Sequence, residues 1–332
     1  MTDHQGASPP GALPLGDRRL TRVAVLDDYQ GVALGLADWS SLNVPVDVFR
    51  DTITGPDALA ARLAPYDAIV IMRERTPFPR ALVERLPNLK LLVTTGARNA
   101  SVDSAALKER GITFCGTGGL GSPTSELTWG LILALLRHIP GQDRALREGH
   151  WQTAVGEGLD GRTIGIVGLG RLGARVARVA TAFDMRVLAW STNLTEEAAA
   201  KAGATRVDKE TLLRESDVVT VHLVLSDRSR HTLGAADLAL MKPTAVLVNT
   251  SRAPIVDATA LAAALREGRL AGAALDVYDT EPLPADDPIL AAPNTLLTPH
   301  LGYVTRANYQ AMYGGAVEAI RAWTTGTPIR VI

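Results

Sequence analysis

From residue 22 onward, short β-branched and apolar runs alternate with Ala- and Leu-rich stretches of helical length. In the first part, the runs at 22–26, 68–72 and 89–94, with a short one near 112–114, predict strands. The stretches at 55–63 and 79–85 predict helices. Continuous apolar runs suit strands buried on both faces, so the pattern predicts a parallel sheet covered by helices. Residues 125–139, SELTWGLILALLRHI, are apolar nearly all round and predict a deeply buried helix, one that domains or subunits could share. Pro123 precedes it and Pro140-Gly141 closes it, and 142–152 reads as a polar helix or arm. A second strand–helix series starts at Thr163, with strands expected at 163–167, 186–190, 218–223, 245–249, 271–277 and 295–298. Six such runs fit a six-stranded doubly wound sheet, and a last helix is expected over 306–324.

Composition narrows the class. The 332 residues are 46% hydrophobic, enough for a large core and about two domains. With 34 Lys plus Arg against 35 Asp plus Glu, the net charge is −1, which argues against a nucleic-acid or membrane binder by whole-chain electrostatics. Aromatics are 5%, which argues against base-stacking platforms. The single cysteine, Cys115, excludes an internal disulfide framework and a Cys-rich zinc site; in the run Ile112-Thr113-Phe114-Cys115 it reads as a buried strand thiol. No apolar run reaches the roughly 18 residues of a membrane span. The start lacks a signal-peptide pattern, and its Gly and Pro residues predict a flexible tail over 1–19. A cytoplasmic protein is the expectation.

The candidate chemistry begins where the strand 163–167 runs into Gly168-Leu169-Gly170-Arg171-Leu172-Gly173. A GxGxxG is weak evidence alone in a chain with 30 glycines. Here it follows a strand and opens a helix whose apolar residues Leu172, Val176, Val179 and Phe183 recur on one face. Gly168 then permits the tight turn, Gly170 lets the backbone approach a pyrophosphate, and Gly173 lets the helix close on the sheet. The helix N-terminus offers unpaired N–H groups to that anion. The acidic residue usual at the end of the second strand is missing. Ser191, 18 residues after Gly173, stands there, followed by Thr192 and Asn193, so NAD and NADP both remain open.

Three further segments follow strand ends: NTSRAPIVD with Arg252, DVYDTEPL with Asp276 and Glu281, and TPHLG with His300. Ligands of open α/β sheets bind beyond the carboxyl ends of the strands, so one cleft can gather Arg252, Glu281 and His300. Taken singly, each has a structural reading: a surface ion pair, a solvated loop carboxylate, a turn cap.

In register, the four motifs resemble the D-isomer-specific 2-hydroxyacid dehydrogenases over nearly all of residues 21–332. The resemblance implies an α/β fold of two doubly wound domains. A Rossmann NAD(P)-binding domain would span 117–299, and a flavodoxin-like substrate-binding domain would combine 20–116 with 300–332. It implies catalysis by Arg252, holding the substrate carboxylate and polarising the 2-oxo group, and by His300, exchanging a proton with the carbonyl oxygen. Glu281 would orient the His300 ring. Cofactor contacts would come from Gly168, Gly170, Arg171, Leu172 and Gly173, and also from Ser191, His222, Thr250 and Asp276. Asp276 would accept from the nicotinamide carboxamide, and His222, closing the third strand of the series, would shape the pocket.

Gly96, Ala97 and Arg98 match the family's substrate-binding loop. The family often has Gly where Arg98 stands, so Arg98 either adds a second positive charge or points to solvent. Val224 replaces the proline of a usual His-x-Pro, Ala253 a frequent glycine, and Tyr303 a small residue. The implied activity is reversible hydride transfer between NAD or NADP and a small-molecule 2-oxo or D-2-hydroxy acid, within which a phosphoglycerate, glyoxylate or hydroxypyruvate reductase-like enzyme fits. A different class also fits, an NAD-sensing protein like the family's transcriptional corepressors. Neither needs a metal, nucleic acid or membrane, and the apolar helix and family habit imply a homodimer.

Overall fold

The computed structural model describes residues 18–332. The expected tail lies outside them as far as residue 17, whereas Arg18 is anchored, its guanidinium donating to the Trp323 carbonyl at 3.0 Å. The chain forms two compact units, one of residues 18–120 with Arg306–Ile332, the other Gly121–Thr305. The changeovers fall four to six residues later than the expected 116/117 and 299/300, so the turn carrying His300 stays with the second unit.

The first unit holds β1 (Val23–Val25), β2 (Val46–Val48), β3 (Ala68–Ile71), β4 (Leu91–Thr94) and β5 (Thr113–Gly116), all parallel, in the order β2-β1-β3-β4-β5. That is the flavodoxin-like order. β1, β3 and β4 are buried along their whole length, as their unbroken apolar runs require. β2 was not expected: it is a half-buried edge strand reading VDV after Pro45, with no apolar run to mark it. Cys115 is enclosed in β5, where burial pushes its thiol up to about 11. The helix Arg306–Thr324 packs on this unit.

The second unit holds β6 (Thr163–Val167), β7 (Arg186–Trp190), β8 (Thr205–Arg206), β9 (Val218–Val221), β10 (Val246–Asn249), β11 (Gly272–Leu275) and β12 (Thr295–Leu297). They run parallel in the order β12-β11-β10-β9-β6-β7-β8, the Rossmann arrangement. The sheet therefore has seven strands, not six. The extra one, β8, is an exposed two-residue edge strand with no hydrophobic signature. As a result, the strand before His222 is the fourth of the series rather than the third, and it ends at Val221.

Two helix readings need correction. The helix Arg171–Ala182 buries Gly173, Val176, Ala177 and Ala180, whereas Val179 and Phe183 are each 37% exposed. Small residues form the inner face because the helix lies so close: a Cβ on Gly173 would stand 2.3 Å from the Gly168 carbonyl oxygen. The long apolar helix spans Pro123–Leu136 and packs against β10, β11 and β12. It stops at Arg137 and His138, the latter left-handed with φ 53°. Pro140 then sits in the first turn of a new helix, Ile139–Arg147, so it opens an element and does not close one. No helix among the described residues is long and apolar enough to cross a membrane.

Candidate active site

The fingerprint turn is shaped by close backbone approach. Gly168 has φ +104°, and a Cβ there would lie 2.7 Å from the His222 carbonyl carbon. Gly168 and Gly173 are thus demanded by the protein's own packing. Gly170 is not: a Cβ on it would meet nothing within 4 Å. The protein leaves that side of the turn open, as close approach of a pyrophosphate requires. No side chain caps the helix that starts at Arg171, so the first-turn N–H groups around Arg171, Leu172 and Gly173 can serve an anion. These residues fit a dinucleotide. The Gly168 N–H donates to the Trp190 carbonyl at 2.8 Å, which sets the end of β7, and Ser191 after it, beside the turn. Ser191 is half-buried, and Thr192 and Asn193 are exposed.

His222 continues the ladder for one residue past β9, its N–H donating to the Val167 carbonyl at 2.8 Å. Its Nε2 lies 3.0 Å from the Thr220 hydroxyl, while Nδ1 is enclosed with no hydrogen-bond partner among the described residues. Burial pushes this imidazole down to about 4. A ring that stays neutral near the fingerprint suits a wall better than a proton carrier. The linkage has a sign: the unfolded ring titrates near 6.5 and the folded one lower, so His222 favours folding above pH 6.5 and that contribution is lost as pH falls toward 4. Between pH 7 and 5 the parent should lose up to about 2 kcal/mol more stability than His222→Gln, at roughly 1.4 kcal/mol per unit of pH. Urea unfolding at the two pH values checks this; parallel losses in the two proteins would show that the ring is not held neutral.

The remaining groups stand on the carboxyl edge of the same sheet. Past β10, the Asn249 side chain accepts from the Ser251 N–H at 3.0 Å and donates to the Arg252 carbonyl at 3.1 Å. This clip turns the chain so that Arg252 leaves the sheet, its Nη1 donating to the Ser251 carbonyl at 2.8 Å. The Thr250 hydroxyl pairs with that of Thr128 at 2.8 Å, tying the strand end to the Pro123–Leu136 helix. Past β12, His300 adopts φ 53°, and its Nδ1–H donates to Glu281 Oε2 at 2.7 Å. Glu281 Oε1 accepts from the Tyr278 N–H at 3.0 Å, so both carboxylate oxygens are placed.

Asp276, fully enclosed after β11, accepts from the Thr298 hydroxyl at 2.6 Å and the Leu301 N–H at 2.6 Å through Oδ1, and from the Gly302 N–H at 2.8 Å through Oδ2. Burial pushes its carboxyl up, opposed by those three bonds and by the neighbouring His300. Its visible work is to brace the turn that carries His300, a task the sequence reading did not assign. Thr298 and Tyr278, in the TPHLG and DVYDTEPL segments, brace the same region with no local sequence signal for it. Tyr278 donates to the Leu275 and Thr298 carbonyls at 3.1 and 3.0 Å. The Tyr303 ring meets the His300 ring edge-on, centroids 5.6 Å apart. In the first unit, Gly96 has φ +118° just past β4, its N–H donating to the Thr117 hydroxyl at 2.8 Å, and Ala97 and Arg98 are exposed.

Comparison with known proteins agrees with this architecture. A family profile described as D-isomer specific 2-hydroxyacid dehydrogenase, NAD binding domain, matches residues 129–302. The chain is 39% identical over 255 residues to a glyoxylate reductase of Aeropyrum pernix, covering 74% of this chain and 76% of that protein. It is 35% identical over 277 residues to a D-3-phosphoglycerate dehydrogenase of Archaeoglobus fulgidus, covering 82% of this chain and 52% of that one. The crystal structure of a phosphoglycerate oxidoreductase from Vibrio cholerae O395 superposes with a TM-score of 0.88 at 38% identity, over 92% of this chain and 99% of that one. The chain therefore belongs to the D-isomer specific 2-hydroxyacid dehydrogenases, oxidoreductases that act on a CH–OH group with NAD(P).

Proposed function

We propose that this chain interconverts a small 2-oxo acid and its D-2-hydroxy acid, with Arg252, Glu281 and His300 at the reacting carbonyl. The observation that carries the reading is the 2.7 Å bond between His300 and Glu281, on the sheet edge that also presents the dinucleotide turn. A bound nicotinamide supplies or accepts the hydride. Arg252 binds the substrate carboxylate and draws charge from the 2-oxo group. His300 passes a proton through Nε2 to the carbonyl oxygen in reduction and takes it back in oxidation. Glu281 fixes the ring through Nδ1 and stabilises the imidazolium. Asp276, enclosed beneath the turn, supports His300 through its bonds to the Leu301 and Gly302 N–H groups. Gly96, Ala97 and Arg98 form the substrate-binding segment of the first unit. A panel of 2-oxo acids, glyoxylate and hydroxypyruvate among them, assayed with NADH and NADPH tests the reading. Dinucleotide binding without turnover of any acid would favour the corepressor-like alternative.

Cofactor choice follows from Ser191. Neutral hydroxyl and amide groups bond a ribose hydroxyl or a phosphate oxygen with little net preference. Both dinucleotides should therefore be used, with discrimination of no more than about two orders of magnitude. Ser191→Asp should shift kcat/KM toward NADH by adding a ribose acceptor and repelling the 2′-phosphate. An unchanged ratio would show that Ser191 is not the residue beside the ribose.

The homodimer reading draws on the segment after the Pro123–Leu136 helix. There Ile139, Leu146, Trp151 and Val155 are exposed, the last two at 76% and 93%. A second copy of this chain covering them would remove a large apolar area from water. A cytoplasmic location suits a reaction that draws on the NAD(P) pool.

A further inference from the structure

The chains of β11 and β12 separate beyond the rung at which the Thr298 N–H donates to the Leu275 carbonyl at 2.9 Å. From there one chain runs on to Glu281 and the other to His300, and the ladder no longer sets how far apart the two side chains stand. The backbone of His300 is gripped on both sides. Downstream, the Leu301 and Gly302 N–H groups reach Asp276. Upstream, the His300 N–H donates to the Thr298 carbonyl at 2.9 Å, closing a tight turn with His300 in left-handed backbone at φ 53°. The place of the Thr298 carbonyl therefore decides where the imidazole starts.

Tyr278 holds that carbonyl. Its hydroxyl has one proton, shared between the Thr298 carbonyl at 3.0 Å and the Leu275 carbonyl at 3.1 Å, so it spans the two chains where they separate. The same residue's N–H donates to Glu281 Oε1 at 3.0 Å, while Oε2 meets His300 Nδ1 at 2.7 Å. One residue thus fixes the backbone of the proton carrier through its side chain and the orienting carboxylate through its main chain. The Tyr278 ring is half-buried against the core of the second unit, and that packing does not need the hydroxyl. Burial, then the charges of Asp276, Glu281 and Asp287, push the phenol well up, so the hydroxyl stays a donor across the working pH range. Asp276 also faces His300.

We propose that Tyr278 is a positioning residue for the hydride-transfer reaction: its hydroxyl and its N–H together set the distance and alignment of the His300–Glu281 pair, and through that pair the stability of the imidazolium. A close, aligned carboxylate favours the charged ring, and a slack pair gives up part of that support. This rests on the dehydrogenase reading above and adds to it a group that acts through the pair.

The test is Tyr278→Phe in the full chain, which keeps the ring and the N–H to Glu281 and removes the hydroxyl. Reduction of 2-oxo acids should fall about tenfold in kcat, less than the roughly 10²-fold that a displacement on the order of 1 Å can cost, with KM and NADH affinity within about twofold. Protonated His300 is the form that reduces, so the rate falls as pH rises. With the pair slackened, that alkaline limb should move to lower pH by about half a unit or more. In a Glu281→Gln background no carboxylate charge remains for the hydroxyl to align, so Tyr278→Phe should leave the limb in place and cost well under tenfold. Proton NMR of the cofactor-free chain, with the His300 signals assigned by their loss in His300→Gln, follows the ring without turnover. In Tyr278→Phe the ring should lose its proton at lower pH than in the parent. A variant that is only less heat-stable, with kcat and the limb unchanged, overturns the proposal. So does a fall in kcat with the limb in place, or a shift that persists undiminished beside Glu281→Gln. If no 2-oxo acid is reduced with either dinucleotide, the dehydrogenase reading fails instead, and the NMR titration still decides whether Tyr278 sets the pair.

Discussion

His300→Gln is expected to lower kcat for 2-oxo acid reduction by about 10²- to 10⁴-fold, the usual range for loss of a positioned general acid, while dinucleotide affinity stays within a few-fold. The separation follows from placement. His300 sits on the turn after β12, whereas the fingerprint turn follows β6, with three strands between them in the sheet. The turn itself is held by backbone donors: the Leu301 and Gly302 N–H groups reach Asp276 whatever side chain stands at 300. Glutamine roughly matches the ring in reach and can bond Glu281, but it cannot give up a proton at useful pH. Single-turnover reduction and a fluorescence titration of NADH read the two quantities separately. Parent-like reduction by the variant would remove His300 from the chemistry. Glu281→Gln should act more mildly, because it keeps the ring oriented and weakens only the charge that stabilises the imidazolium.

What the sequence disclosed and what it hid have a common physical basis. Strands buried on both faces announce themselves by unbroken apolar runs, so β6 and β7 fell on their expected residues. The edge strands β2 and β8 need only one neighbour and little burial, so VDV and TR carried no signal. The face of the Arg171–Ala182 helix was misjudged for a related reason. Where backbone meets backbone, the inner residues must be small, and a search for large apolar residues finds the rim. In the site, the residues that follow strand ends could be named because topology alone gathers them. Their supports could not. Thr298 reaches Asp276 across 22 residues of chain, and Thr128 reaches Thr250 across 122. No local pattern records such a pairing.

Arg252→Lys is expected to reduce kcat/KM for 2-oxo acids by roughly 10- to 100-fold, the equivalent of about 1.5–3 kcal/mol for one lost charge-assisted hydrogen bond. A guanidinium carries five N–H donors in a plane. One of them, on Nη1, goes to the Ser251 carbonyl and fixes the direction of the fork. A lysine ammonium is a rotating point charge; bound to Ser251 it cannot also meet a carboxylate edge-on, and turned to the carboxylate it leaves the carbonyl. The fold should not share the loss. The clip that shapes this loop runs from the Asn249 amide to the Arg252 carbonyl and survives any side chain at 252. Thermal unfolding of the variant should therefore match the parent within a few degrees while KM rises and kcat falls. A rise in KM alone would mean that Arg252 only binds the carboxylate. A fall in kcat as well means that it also bears on the 2-oxo group as charge develops there. Parent-like kinetics with every acid tried would take Arg252 out of the site.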